Sequence, residues 1–165
     1  MSMDVFLHLA NGIKGEAQDA VYRDEIDVIA WNWGLSQSGT THMGGGGGGS
    51  KVSVHDISLT KYVDLATADL IQRCASGEHI QDGFIVVRKA GGGAPVDYLR
   101  IDMKDIMISS YATGGASDGL ERVQETLTLN FRSFQVTYIQ QDESGAGDKD
   151  KSAGWDIAAN ELWSL

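Results

Sequence analysis

Most of the chain consists of segments in which apolar and polar residues alternate with a period of two. An extended segment of this kind has one apolar face, which predicts a β-strand that packs against a core. Strands are expected at 4–9, 25–33, 51–60, 83–89, 96–110 and 121–140. In the segment 25–33 both faces are apolar, so we expect this strand to be covered on both sides. The pattern predicts a mainly β protein.

Three of these strands change the parity of their apolar residues midway. The changes fall within 54–57, 103–106 and 131–134. Because a slip of one residue moves every following side chain to the opposite face, each change predicts a bulge or a bend. Long bent strands of this type close a sheet into a barrel or turn the corner between two sheets. The alternative is two short strands joined by a turn, which the absence of Gly and Pro at these points disfavours.

A single helix is predicted by apolar residues spaced i, i+4, i+5 and i+8, namely Ala66, Leu70, Ile71 and Cys74. Asp64 or Thr67 can cap its beginning, and Gly77 can supply the left-handed residue that ends it. Cys74 then faces the core as a small buried hydrophobic residue.

Two segments are predicted to be loops that extend from one domain spanning 1–165. The first, 36–51, contains six consecutive glycines at 44–49, and each glycine loses more backbone freedom on ordering than any other residue. The second, 142–151, is polar and rich in small residues. A chain of 165 residues has the length of one domain.

The composition excludes several classes of binding partner. The chain has 13 basic and 23 acidic residues and a formal net charge of −10, which argues against nucleic acid and against anionic membrane surfaces as partners. No apolar run approaches the roughly 20 residues of a membrane-spanning helix. The single cysteine cannot form a disulfide within the chain, and the first residues lack the features of a signal peptide. We therefore expect a soluble protein made in a reducing cytosol.

The sequence around each candidate motif for catalysis, cofactor binding or metal binding lacks the elements that such a site requires. The segment 115–119 matches G-x-S-x-G, but a strand follows Ser117 and all four histidines precede it, whereas the nucleophile elbow requires a following helix and a later His. The glycine run is followed by a predicted strand, although phosphate-binding loops lead into a helix. The histidines are dispersed and no paired metal-ligand spacing occurs. We predict no catalytic residue, no cofactor and no metal, and a role in binding or assembly.

Nine sequence blocks resemble, in order, those of the Hcp (haemolysin-coregulated protein) family, the tube-forming proteins of the bacterial type VI secretion system. They are GIKGE at 12–16, EIDV at 25–28, WNWG at 31–34, HDISLTKYV at 55–63, CASG at 74–77, RKAG at 88–91, SSYATGG at 109–115, ETLTLNF at 125–131 and GWDIAAN at 154–160. Each block is weak alone, but together they cover nearly the whole chain.

The resemblance implies a β-barrel formed by two sheets with one principal flanking α-helix. It also implies a structural protein rather than an enzyme, whose copies form hexameric rings that stack into a hollow tube. The implied partners are a VgrG-type spike, the proteins of a contractile sheath, and small effector proteins carried in the ring lumen. Such a protein is synthesised in the bacterial cytoplasm and secreted by the type VI machine without a signal peptide.

The glycine-rich loop is the candidate site for ring stacking, since the family has a long loop at this place. The proposed residues are Ser36, Gln37, Ser38, Gly39, Thr40, Thr41, His42, Met43, Gly44, Gly49, Ser50 and Lys51. The alternative is a solvent-exposed loop without a role in assembly. Six copies with a net charge of −10 each should also repel one another at low salt.

Other readings remain open at this point. A tail-tube protein of the phage type would share the architecture, an effector enzyme would need a further domain beyond the Hcp-like part, and a small adhesin or ligand-binding barrel would be monomeric.

Overall fold

The computed structural model describes residues 3–39, 51–89, 95–119, 122–141 and 147–165. Within these ranges the chain forms eleven strands and one helix. The elements are β1 (Met3–Leu9), β2 (Ile26–Asp27), β3 (Ala30–Asn32), β4 (Leu35–Ser36), β5 (Ser53–Val54), β6 (Ile57–Tyr62), α1 (Thr67–Ser76), β7 (Ile80–Lys89), β8 (Val96–Gly114), β9 (Gln124–Gln141), β10 (Gly147–Asp156) and β11 (Glu161–Leu162). The prediction of a mainly β protein is confirmed.

A long antiparallel hairpin of β8 and β9 organises the fold. The two strands pair from Leu99 with Tyr138 at one end to Gly114 with Gln124 at the other. In the nine-stranded sheet, β7, β1 and β2 continue the order beyond β8, whereas β10 and β11 continue it beyond β9. The half of β9 that begins at Gln124 pairs instead with β6, which in turn pairs with β3. β4 and β5 form a separate two-stranded sheet.

The predicted bends in β8 and β9 are confirmed, because each strand continues through its change of parity. In β8, Asp105 adopts a left-handed conformation with φ 54°, and Met103 and Ile106 on either side of it are both buried. In β9, Phe131 and Phe134 are buried in the same way and lie opposite these two residues. A second irregularity shifts the register between Ile108 and Ser110.

The prediction of one continuous strand is wrong for two segments. The segment 51–60 divides into β5 and β6, which belong to different sheets. The segment 25–33 divides into β2, which pairs with β1, and β3, which pairs with β6. Between them the Val28 N–H donates to the Val5 carbonyl and the Ile29 N–H donates to the Thr60 carbonyl. The expected cover on both sides is not found, because Ile26 and Val28 are buried whereas Ile29 and Ala30 are exposed.

The expected closed barrel is not confirmed. The hydrogen-bonded order within the described residues runs from β11 at one edge to β2 at the other, and these two strands do not pair with each other. The fold is mainly β with one helix beside the sheet.

The helix α1 follows the prediction at its end more closely than at its beginning. Gly77 ends the helix with φ 68°, and its N–H donates to the Arg73 carbonyl. Ala66 occupies the N-cap position, so neither Asp64 nor Thr67 is the N-cap residue. Leu70 is fully buried, whereas Cys74 is only partly buried where it packs against the core.

Parts of the two predicted loops belong to strands. Ser36 belongs to β4 and pairs with Ser53, so it lies in the stem of the first loop. In the second, residues 147–151 begin β10 and pair with β9. Lys149, Asp150 and Lys151 are exposed, so backbone pairing with β9 forms this part of β10 without an apolar pattern. Among the described residues, no helix is long and apolar enough to cross a membrane.

Candidate assembly surface

The stem of the glycine-rich loop is anchored to the core by a tryptophan. Leu35 pairs with Val54, and the His55 N–H donates to the Gly34 carbonyl. The Trp33 indole N–H donates to the His55 carbonyl over 2.9 Å, and its ring packs edge-on against Phe134 at 4.9 Å between centroids. Both ends of the loop are therefore held close together at one place on the molecule.

The structure places only part of the predicted stacking site. Ser36, Gln37, Ser38 and Gly39 on one side and Lys51 on the other are exposed. Residues 40–50, which include Thr40, Thr41, His42, Met43, Gly44, Gly49 and Ser50, lie outside the described residues. The role of this loop in stacking stays a prediction.

A face of small uncharged side chains covers the side of the sheet opposite the core. Two rows of cross-strand neighbours run over β3, β6, β9 and β8. The rows are Asn32, Ser58, Thr128 and Ser110, and Ala30, Thr60, Thr126 and Ala112. All eight are exposed or half-buried, although 22% of the whole sequence is charged. We call this surface the uncharged face.

A buried network of charged groups holds this half of the sheet to the start of α1. Lys61 and Glu125 form an ion pair in which neither side chain is exposed. The Lys61 ammonium also contacts Asp64 at 2.9 Å, and the Thr67 hydroxyl donates to Glu125 at 2.9 Å. The Tyr111 hydroxyl donates to Glu125 as well. Burial, together with this hydrogen bond, raises the pKa of Tyr111 to about 12.

A second network fastens the segment 10–25 to β1 and β7. The buried Arg88 guanidinium forms an ion pair with Asp19 and lies 3.3 Å from Asp4. Its carbon lies 5.2 Å from the centre of the Phe6 ring and 5.8 Å from that of Tyr22. The hydrogen bond from Arg88 holds the pKa of Asp19 well below its usual range. Burial, and then the hydrogen bond to Asp97, raises the pKa of Tyr22 above its usual range.

These two networks were missed at the sequence level, although a signal existed. Lys61 and Glu125 occupy the core parity of their strands, two residues from the buried Leu59 and Leu127 respectively. A charged residue at a core position needs a charged or hydrogen-bonding partner, which a search for complementary pairs on core positions would have found.

An open cleft lies where the segment 25–33 passes the ends of β6 and β9. It has a volume of about 370 Å³, and its lining includes Glu16, Asp27, Ile29 and Asp64. Arg122 also borders it, with the guanidinium carbon 4.0 Å from the centre of the Tyr62 ring. Burial, and then the nearby Asp64, raises the pKa of Asp27.

Large apolar side chains are exposed next to this cleft. Ile29 is 44% exposed, and Val63 and Val123, whose backbones are hydrogen-bonded to each other, are 43% and 49% exposed. Leu65 is 70% exposed, and its N–H donates to Glu16. Adjacent apolar residues of this kind are typical of surfaces that contact another protein.

The motif residues considered for catalysis do not come together. Ser117 lies in the exposed turn after β8, and it contacts no histidine or carboxylate among the residues that the structure describes. Within the described ranges, no group of three or more His, Cys, Asp or Glu side chains could hold a metal ion.

Comparisons with known proteins agree with the fold. The family model for the type VI secretion system effector Hcp matches residues 6–138. Protein hcp1 of Pseudomonas aeruginosa is 47% identical over 161 residues, which is 97% of this chain and 98% of that protein.

Solved structures of type VI secretion proteins have a fold similar to that of this chain. The crystal structure of Hcp1 from Salmonella typhimurium has a TM-score of 0.79 at 31% identity, covering 99% of this chain and all of that chain. A type VI secretion system effector from Yersinia pestis has a TM-score of 0.74 at 30% identity, covering 93% of this chain and all of that chain.

Proposed function

The chain belongs to the Hcp family of type VI secretion system proteins, and on this premise we propose that it is the structural subunit of a hexameric ring in the secretion tube. The rings stack and are expelled, and they carry or chaperone effectors. The observation that carries this proposal is 47% identity to protein hcp1 over 97% of this chain and 98% of that protein. In this role residues 1–165 act as one subunit domain whose contribution is structural rather than catalytic.

The strand pairings support a barrel-like wall for the subunit. The segment 26–32 leaves β1 and joins β6, and β6 leads through β9, β8 and β7 back to β1. This circuit surrounds the core residues Leu7, Leu59 and Leu127, which are buried to 1% exposure or less. A subunit wall closed around its own core suits a hollow tube that is pushed out as one body.

The uncharged face supports a hollow tube that accepts varied cargo. Small hydroxyl, amide and methyl side chains present neither strong charge nor large apolar area to a passing protein. We propose that the uncharged face lines the lumen, where small effector proteins bind weakly enough to be released. A face of either charge would instead retain effectors of the opposite charge.

The remaining partners follow from the same role. A VgrG-type spike caps the tube, and contractile sheath proteins surround it. The protein is made in the bacterial cytoplasm and leaves through the type VI machine. Ring stacking through the loop 36–51 is supported by its stem, which fixes both loop ends at one place.

Light scattering after size-exclusion chromatography tests the ring. A particle of six times the 17.7 kDa chain mass is expected for the purified protein. A particle of a single chain at every concentration would refute the proposal.

Deletion of Gly44–Gly49 tests the role of the loop in stacking separately from ring formation. We expect rings to persist while the number of stacked assemblies decreases. Unchanged stacking would show that the loop has no role in it.

A further inference from the structure

The last residues of the chain cross the sheet instead of extending its edge. After β11 pairs with the end of β10, the Trp163 N–H donates to the Gly154 carbonyl at 3.4 Å. Two residues later the Leu165 N–H donates to Oε1 of Gln135 at 2.8 Å. Gly154 lies in β10 and its cross-strand neighbour Gln135 lies in β9, so this segment runs from one strand over the next. We call residues 163–165 the strap.

The strap lies directly on the backbone of β10. A Cβ added to Gly154 would overlap the Trp163 carbonyl oxygen and would also lie 2.9 Å from the Phe134 carbonyl oxygen. A residue with a side chain therefore cannot occupy this position without displacing the strap or the strand beside it.

The strap ends beside a row of side chains on the face of the sheet opposite the core. The row crosses β9, β8, β7 and β1 and consists of Gln135, Asp102, Phe84 and His8. Asp102 lies between the buried core residues Ile101 and Met103, so the alternation of the strand places its side chain on the opposite face. Leu165 lines an open cleft of about 210 Å³ together with the last three residues of this row.

Asp102 is buried although its face of the sheet lies away from the core. The residue is 6% exposed, and its carboxylate accepts a hydrogen bond of 3.1 Å from Nε of Arg100. The Arg100 guanidinium lies over the Phe84 ring, with its carbon 3.8 Å from the ring centre. A carboxylate on an outer face is ordinarily in contact with water, so Asp102 has a cover. Arg100 supplies part of this cover, and Gln135 and the Leu165 that it binds also lie beside Asp102.

The strap is held weakly. Leu165 is 65% exposed, so burial of its side chain contributes little to closure. A hydrogen bond such as the one between Leu165 and Gln135 changes the ratio of closed to open states by about two- to tenfold. The strands beneath are joined by continuous ladders of backbone hydrogen bonds. The strap can therefore open while the sheet stays folded, as the least stable segments of a protein do.

We propose that residues 163–165 form a releasable strap that controls access to Asp102. When the strap is closed, Leu165 and Gln135 are joined and Asp102 is shielded from solvent. When it opens, Asp102 and Gln135 become accessible on the sheet face, and the strap becomes a free extended segment. The strap belongs to each copy by itself, so this inference does not depend on ring formation.

Hydrogen–deuterium exchange tests both states of the strap. Mass spectrometry with fragmentation of the C-terminal peptide reports the Leu165 amide in the whole protein, with or without rings. We expect this amide to exchange more slowly than in an unstructured peptide and faster than the amides of β8 and β9. Exchange at the unstructured rate would show that the strap does not close, and exchange as slow as in β9 would show that it does not open separately. Either result would overturn the proposal.

Removal of the Gln135 side chain should open the strap. Q135A should increase the exchange rate of the Leu165 amide about two- to tenfold, and chymotrypsin cleavage after Trp163 should rise by the same factor, because cleavage follows the open population. Q140A is the matched control, since it removes the same side chain from an exposed position on the same strand, and both rates should stay at the wild-type level. Equal rates in the wild-type protein and Q135A would contradict the proposal.

G154A opens the strap from its other end. The added methyl group collides with the Trp163 carbonyl, so the Leu165 amide should lose its protection from exchange, whereas the amides of residues 124–131 in β9 should keep theirs. A Leu165 amide that stays protected in folded G154A would show that the strap does not lie on β10.

Labelling of carboxylates tests the access to Asp102. A carbodiimide with glycine ethyl ester converts accessible carboxylates to amides, which peptide mass spectrometry locates. Asp102 should be labelled about two- to tenfold faster in Q135A than in the wild-type protein, whereas exposed Asp150 should be labelled equally in both. Faster exchange at Leu165 without faster labelling of Asp102 would show that the strap does not cover this carboxylate and would overturn the proposal.

Discussion

Lys61 and Glu125 form a fully buried ion pair that joins β6 to β9. Both charges are removed from water. Four further groups hydrogen-bond to the pair: Asp64 and the Tyr62 carbonyl accept from Lys61, and the Thr67 and Tyr111 hydroxyls donate to Glu125. A pair of this kind stabilises the fold only as a complete network, since a single unpaired charge in the core is costly.

Removal of one partner should therefore be strongly destabilising. We expect K61M to lower the free energy of unfolding by about 3–5 kcal/mol, because Glu125 is left buried without its cation. Urea denaturation followed by circular dichroism measures the change. The double variant K61M/E125L should recover part of the loss, and a loss equal to the sum of the single changes would contradict a coupled pair.

Gly83 should tolerate no side chain. An added Cβ would clash with the carbonyl oxygen of His8 on the neighbouring β1 and would lie 3.0 Å from Ile106 and Leu9 side-chain atoms. G83A should lower the free energy of unfolding by about 1–3 kcal/mol through overpacking. G114A is the control, because nothing lies within 4 Å of its added Cβ, and equal effects of the two changes would refute this packing.

Acid should weaken the Asp19–Arg88 network. The pKa of Asp19 is depressed in the folded chain from an ordinary value near 3.8, so its contribution is fully present above that pH and is lost as the pH falls toward the folded value. We expect D19N to reduce stability at pH 6 and to flatten the loss of stability below pH 4. Thermal melts of both proteins across pH 2–6 measure this, and parallel pH curves would contradict it.

Salt should favour long assemblies of the wild-type protein. In the proposed ring, six copies of a chain with net charge −10 lie together, and screening reduces their repulsion over distances beyond the Debye length of about 10 Å at 0.1 M salt. Light scattering should show longer assemblies at high than at low ionic strength. Longer assemblies at low salt would show that the repulsion does not control stacking.

Much of the fold was predictable because its signals are local. The bends of β8 and β9 follow from apolar parity, since Met103 and Ile106 must both reach the core and Asp105 absorbs the change with a positive φ. The end of α1 at Gly77 follows from the conformational freedom of glycine.

Features that depend on pairing partners were not predictable in this way. The apolar pattern of the segment 25–33 predicts one strand, because it carries no information on pairing partners. In the structure this segment pairs first with β1 and then with β6. The sequence predicts a loop at the start of β10 because this part of the strand is not buried. Lys149 and Lys151 belong to the strand through its backbone pairing with β9.

Electron microscopy of the purified protein tests most directly whether it forms hexameric rings. The account predicts hollow rings with six-fold symmetry in class averages, some of them stacked end to end. Uniform particles the size of a single 17.7 kDa chain, at concentrations from micromolar to millimolar and at both low and high salt, would contradict it.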